Sequence, residues 1–115
     1  MRDYYDRAGY RSNLLYVGYR IAHDRTSLLS YSYDGTVMTI DPVSTGNPGW
    51  KPFLEAYNQF CSDRGGTPLF NQTYGLTPTI VQKAFGDRLK TFAETRRKFD
   101  PGDRLLNDYF RNLLT

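Results

Sequence analysis

The chain has 115 residues, 39% hydrophobic and 16% aromatic, which is enough for one domain and too little for two ordinary ones. Its net charge of +3 comes from 15 Lys and Arg set against 12 Asp and Glu and spread along the chain. A nucleic-acid binder gathers such charge into a stripe, and here only Arg96, Arg97 and Lys98 form a run, which reads as a solvated helix end.

Residues 13–23 read as a strand, with Leu15, Val17, Tyr19 and Ile21 on one face and Leu14, Tyr16 and Arg20 on the other. A second strand is expected over Ser27–Tyr33, with Asp34-Gly35 as a hairpin turn in which both residues tolerate positive φ. Thr36–Ile40, rich in β-branched residues, reads as the third strand and is closed by Asp41-Pro42. The helix that follows carries Trp50, Phe53, Leu54, Tyr57, Phe60 and Cys61 as one stripe, and Gly65-Gly66 stops it. Thr67–Thr73 reads as short and extended. Thr77-Pro78 then opens a helix by a hydroxyl cap and a proline in the first turn, and Gly86 bends or breaks it. Asp100-Pro101-Gly102 ends that region, and Leu105, Leu106, Tyr109, Phe110, Leu113 and Leu114 give a final short helix. The fold class expected is α+β: a three-stranded antiparallel meander covered by helices. So few strands make a poor independent sheet, so the meander is expected to belong to a larger domain.

Self-contained chemistry is largely excluded. Cys61 and His23 are the only residues of their kinds, so neither a disulfide framework nor a zinc site can form within the chain. Cys61 falls on the apolar stripe and reads as a small buried residue, and His23 at a strand end as a surface residue. No G-x-S-x-G elbow, G-x-G-x-x-G turn or Walker loop is present. No apolar run approaches the ~20 residues of a membrane span, and the first residues lack the apolar stretch of a signal peptide. A cytoplasmic protein is therefore expected. The 10 tyrosines suit an interface or a wet pocket as readily as a core, but each taken singly reads first as an ordinary half-buried residue.

Several short motifs occur in order. They are Leu29-Ser30-Tyr31 through Gly35 with Thr39-Ile40-Asp41-Pro42; Arg64-Gly65-Gly66-Thr67-Pro68; Phe85-Gly86-Asp87 through Phe92; and Arg96, Asp100-Pro101 and Leu106-Asn107-Asp108-Tyr109. Together they resemble the C-terminal region of FAD-linked oxidases of the vanillyl-alcohol-oxidase type, near the sugar-lactone and alditol oxidases and decaprenylphosphoryl-ribose oxidase. No single motif is specific, but their order and spacing cover nearly the whole chain.

The resemblance implies that residues 1–115 are the substrate (cap) region of such an enzyme, with the FAD-binding domain outside them as a partner in cis or in trans. It implies FAD as cofactor, held mainly by that domain, and a small alcohol-type substrate, a sugar or polyol, oxidised by hydride transfer to flavin. Tyr19 and Thr39 are placed by it on the substrate side of the sheet, with Val37 on the same face, and Asn71 beside them as a substrate contact. Gln72 stands where sugar-lactone oxidases carry a lysine beside the flavin, in a "P-H-W-G-K" stretch that here reads Pro68-Leu69-Phe70-Asn71-Gln72. A glutamine offers only a neutral donor there, so an aldonolactone substrate in particular is not implied. Asn107 is placed on the cofactor side, where it is also expected to cap the last helix. The competing reading is a non-catalytic binding domain that keeps the cap fold without flavin. Taken alone, the chain is expected to be inactive and to self-associate through an exposed sheet edge and apolar face.

Overall fold

The computed structural model describes residues 1–114. In chain order they form α1 (Arg2–Ala8), β1 (Tyr16–Ile21), β2 (Val37–Pro42), α2 (Trp50–Ser62), α3 (Pro78–Phe85), α4 (Asp87–Phe99) and α5 (Asp108–Leu114). The class is α+β: five helices and a two-stranded antiparallel sheet.

The helix boundaries follow local chemistry. Pro52 is tolerated in α2 because it sits in the first turn, where its missing N–H would have had no partner. After α2 the chain folds back so closely that the N–H of Gly66 donates to the Cys61 carbonyl at 2.8 Å, and a Cβ on Gly66 would lie 2.8 Å from that same oxygen. Only glycine fits there. The Thr77 hydroxyl accepts the Ile80 N–H at 3.3 Å, with Pro78 opening α3. Gly86, at φ 50° and ψ −131°, separates α3 from α4 in a conformation that a side chain would oppose.

The sheet corrects the expected meander. Strand β1 is shorter than residues 13–23, and the second expected strand, Ser27–Tyr33, is a run of turns. Ser30 N–H donates to the Ser27 carbonyl and Tyr33 N–H to the Ser30 carbonyl, while the Arg88 guanidinium takes up the Leu28 and Ser30 carbonyls at 3.1 and 3.2 Å. These groups are satisfied locally and by an arginine, so none remains for a ladder. Nor does Asp34-Gly35 form the tight hairpin: neither residue has positive φ, and the Gly35 N–H turns back to the Ser32 carbonyl. Residues 22–36 therefore make one long connection between β1 and β2. The pairing that does form sets Tyr16 opposite Pro42, Tyr19 opposite Thr39 and Ile21 opposite Val37.

Packing gathers in two places. Around the fully buried Phe53 of α2 stand Tyr4, Tyr5, Tyr10, Trp50 and Tyr57, with ring centroids 5.0–5.8 Å from it. Such offset and edge contacts add to simple area burial. They also explain α1, an element the sequence patterning did not reveal, since its Tyr4 and Tyr5 close over Phe53. The second cluster joins Val81, Phe85, Leu89 and Leu113, with Leu29, Phe70 and Leu76 packed against it. The outer face of the hairpin is uncovered: Met38 is 70% and Ile40 59% exposed. The radius of gyration, 15.7 Å, exceeds the about 13 Å of a compact domain of this length, and the molecule measures 48 × 29 × 22 Å.

Candidate functional site

Residues 67–73, expected to be extended, instead close into a turn. The N–H groups of Gln72 and Thr73 both donate to the Leu69 carbonyl, at 3.2 and 3.0 Å. The Phe70 ring drives the shape by turning inward, stacking on Phe85 at 4.9 Å and lying against Phe110 at 5.6 Å. From α5 the Tyr109 hydroxyl donates to the Phe70 carbonyl at 2.8 Å, with the Thr73 carbonyl at 3.5 Å. Burial raises the Tyr109 phenol above its ordinary range, so it remains a donor at neutral pH. With Phe70 anchored, Asn71 and Gln72 are left exposed at the tip of the turn. Among the described residues neither side-chain amide makes a hydrogen bond, so both keep an N–H₂ donor and a carbonyl acceptor for an outside group.

Asn107 sits at the start of α5, the helix that carries Tyr109. Its Oδ1 accepts the Phe110 N–H at 3.0 Å, and its carbonyl accepts the Arg111 N–H at 2.8 Å. This is the expected N-cap, with Asp108 in the first turn, where negative charge is favourable. The cap occupies Oδ1 and leaves the exposed Nδ2 as the only side-chain group of Asn107 that could reach a ligand. The turn and the start of α5 are thus drawn together through Tyr109 and Phe70.

Tyr19 and Thr39 face each other across the ladder, and alternation along β2 puts Val37 on the same face. Tyr19 is 52% exposed, whereas Thr39 is half-buried with its Oγ1 enclosed and unpartnered. Asp41, two residues further on the Thr39 face, acts electrostatically on Tyr57 of α2, whose hydroxyl donates to the Ile40 carbonyl at 2.6 Å. Burial first, and then the neighbouring Cys61, push the Tyr57 phenol far above its ordinary range. The Cys61 thiol is itself pushed up by burial, which outweighs the lowering influence of the neighbouring Tyr57 hydroxyl and the Arg64 charge, so it is a poor nucleophile.

Two groups of sequence-marked residues therefore stand apart. Asn71, Gln72 and Asn107 belong to the turn and α5, and Tyr19 and Thr39 to the hairpin. Among the described residues no hydrogen bond or ring contact joins the two groups. Sequence reasoning missed the organisers, Tyr109, Tyr57 and Arg88. Tyr109 had a signal, since it lies two residues after Asn107 within the same short motif. His23 is exposed, and its Nε2–H donates to the Tyr33 carbonyl at 2.9 Å.

Among the described residues no three His, Cys, Asp or Glu come together to hold a metal, and no helix is long and apolar enough to cross a membrane. The family model described as D-arabinono-1,4-lactone oxidase matches residues 4–113. No curated protein and no solved structure is significantly similar.

Proposed function

Because the chain belongs to the D-arabinono-1,4-lactone oxidase family, a family of FAD oxidases of the vanillyl-alcohol-oxidase type, we propose that it is the substrate-side C-terminal region of a FAD-dependent oxidoreductase. It works with a FAD-binding domain supplied in cis or in trans. The substrate proposed is a small sugar-derived alcohol. Membership brings the sugar-lactone connection back at the level of the family, whereas the Gln72 departure bears on which member of that class this chain takes.

The residues fit one edge of a flavin. The described residues include no glycine-rich phosphate cradle, so the nucleotide half of FAD falls to the partner domain. Gln72 and Asn71 are exposed amides on an anchored turn, and such neutral donors suit the carbonyl and N1 side of the ring. When bound, the flavin supplies hydride acceptance, and this chain contributes orientation and electrostatics. Were flavin bound there, Gln72 would donate to its N1/C2=O edge, more weakly than the lysine of relatives would, and Asn107 would hold the start of α5 by its cap. On the hairpin the exposed Tyr19 would offer its hydroxyl to substrate, whereas the Thr39 hydroxyl is enclosed and would shape that side only from beneath, and Asn71 would contact substrate from the turn.

The match over residues 4–113 carries this reading, supported by the tethering of the exposed turn to α5. The test is co-expression with a family FAD-binding domain. A yellow complex, with flavin reduced anaerobically by an aldonolactone or polyol, is expected. Gln72→Ala should leave complex formation intact and slow reduction in stopped flow. The loss of the flavin-side lysine favours one second reading, a cap domain that binds its partner without redox work. A colourless complex would establish that reading in place of the first.

A further inference from the structure

The turn between α4 and α5 carries the two most exposed large hydrophobic side chains among the described residues, Phe99 at 85% and Leu105 at 88%. Each follows directly on an exposed cation, Lys98 before Phe99 and Arg104 before Leu105, and the exposed Arg97 precedes Lys98. Among the described residues none of these three cations makes an ion pair, although Glu94 lies one turn before Lys98. The carboxylates of the turn are engaged within it: Asp100 is buried, and Asp103 lies 2.6 Å from the Arg96 guanidinium. One side chain fixes how the apolar pair is presented. The Asp100 carboxylate accepts the N–H groups of Arg104 and Leu105 at 2.9 Å each, so the residue after Phe99 is tied to Leu105 itself. Held in this way, neither side chain folds back onto the core, and both stand out into solvent beside cations that have no counter-charge.

We propose that this turn docks on an anionic membrane surface, with Phe99 and Leu105 entering the boundary between headgroups and acyl chains. A lipid surface suits the pattern better than a protein partner does. A protein covering Phe99 and Leu105 would also have to take Lys98 and Arg104 out of water, and lysine is depleted in such interfaces. At a bilayer the apolar tips enter while the long Lys98 and Arg104 side chains keep their charges level with the lipid phosphates. Anionic headgroups then supply the counter-charge that the turn lacks.

The test is co-sedimentation of the full chain with vesicles of phosphatidylcholine alone, or of about three parts phosphatidylcholine to one of phosphatidylserine. Binding to the phosphatidylserine vesicles is expected, weakening as salt rises. Phe99→Ser/Leu105→Ser should reduce it by about tenfold or more, and so should Lys98→Glu/Arg104→Glu. All four positions are exposed, so the fold should persist, as unfolding curves would check. Lys51→Glu/Lys90→Glu makes an equal charge change at exposed positions on other surfaces and should retain most of the binding. Phe99→Trp should shift its fluorescence to the blue on binding and be quenched by brominated lipid, against a parent whose single Trp50 packs on Phe53. Met38→Lys/Ile40→Thr, which alters the exposed hairpin instead, should bind as the parent does. Absence of binding to phosphatidylserine vesicles would overturn the proposal. So would equal binding to phosphatidylcholine alone, binding that depends on Met38 and Ile40 rather than Phe99 and Leu105, or a preference for single-stranded DNA over the vesicles.

Discussion

The Tyr109 hydroxyl donates to the Phe70 carbonyl at 2.8 Å, joining residues 39 positions apart in the chain. Phe70 is held on its other side by Phe85. The turn bearing Asn71 and Gln72 is therefore fixed from α5 by one polar contact and from α3 by one stacked ring. Tyr109→Phe keeps the ring and removes the donor. A loss of about 0.5–1.5 kcal/mol is expected, toward the lower end because Tyr109 is partly exposed. Urea unfolding measures the loss, and faster amide exchange at Gln72 and Thr73 would show that it falls on the turn.

The elements that could be read in the sequence are those whose ends are set by local chemistry. The hydroxyl of Thr77 followed by Pro78, the Gly65-Gly66 stop, the break at Gly86 and the cap at Asn107 each act within a few residues, and each falls where the sequence places it. The elements that could not be read depend on partners far along the chain. Ser27–Tyr33 has the alternation of a strand, but its carbonyls go to Arg88, about 60 residues away. Helix α1 is too short to stand by propensity and exists because Phe53 lies beneath its tyrosines. For the candidate site, residue types and the family motif singled out Gln72 and Asn107. Tyr109 stands in the same motif as Asn107, but its bond to the Phe70 carbonyl is a tertiary contact that the motif does not specify.

Arg88 holds the long connection in place. Besides the Leu28 and Ser30 carbonyls it lies 3.5 Å from the Asp34 carboxylate and stacks over the Tyr33 ring at 4.4 Å, with its side chain only 15% exposed. Arg88→Met should leave the Leu28 carbonyl unpaired and the Ser30 carbonyl with the Tyr33 N–H alone, and cost about 1–3 kcal/mol. Arg88→Lys keeps the charge but not the planar fork, so it should recover only part of the loss. Limited proteolysis provides the check: cleavage should appear within residues 24–35 of the methionine variant before the helices are cut.

The cap on α5 is separable from any ligand contact. Asn107→Ala removes the acceptor for the Phe110 N–H and should cost about 0.5–2 kcal/mol. Asn107→Ser keeps an N-cap while removing Nδ2. It should hold stability near the parent value, and in the complex with a FAD-binding domain it isolates the role of that amide. Thermal unfolding of the two variants side by side distinguishes them.

The hairpin exposes Met38 and Ile40 on the face away from Thr39, and among the described residues neither of its edges has a neighbouring strand. Unpaired edges and bare apolar faces are routes to self-association. Sedimentation velocity across a concentration series should show the chain alone forming dimers or larger species. Met38→Lys with Ile40→Thr should shift it toward monomer without changing the far-UV spectrum. A parent chain that stays monomeric at all concentrations would contradict this.

Asp100 ends α4 with a buried carboxylate that accepts the N–H groups of Arg104 and Leu105, each at 2.9 Å, and lies 3.6 Å from the Arg96 guanidinium. The Leu105 N–H above all, then that of Arg104 and the Arg96 charge, holds the carboxyl below its ordinary range, although burial works the other way. In the unfolded chain the group titrates near about 3.9. Because the folded value is the lower one, the unfolded chain binds this proton first as pH falls. The stabilisation is thus complete above the unfolded value and disappears as pH drops through the folded value. Asp100→Asn cannot ionise, and its amide can accept at one oxygen only. Stability measured by urea unfolding at a series of pH values should therefore show the variant below the parent at neutral pH, with the gap narrowing in acid. A gap of constant size down to the acid end would mean that Asp100 contributes through shape rather than charge.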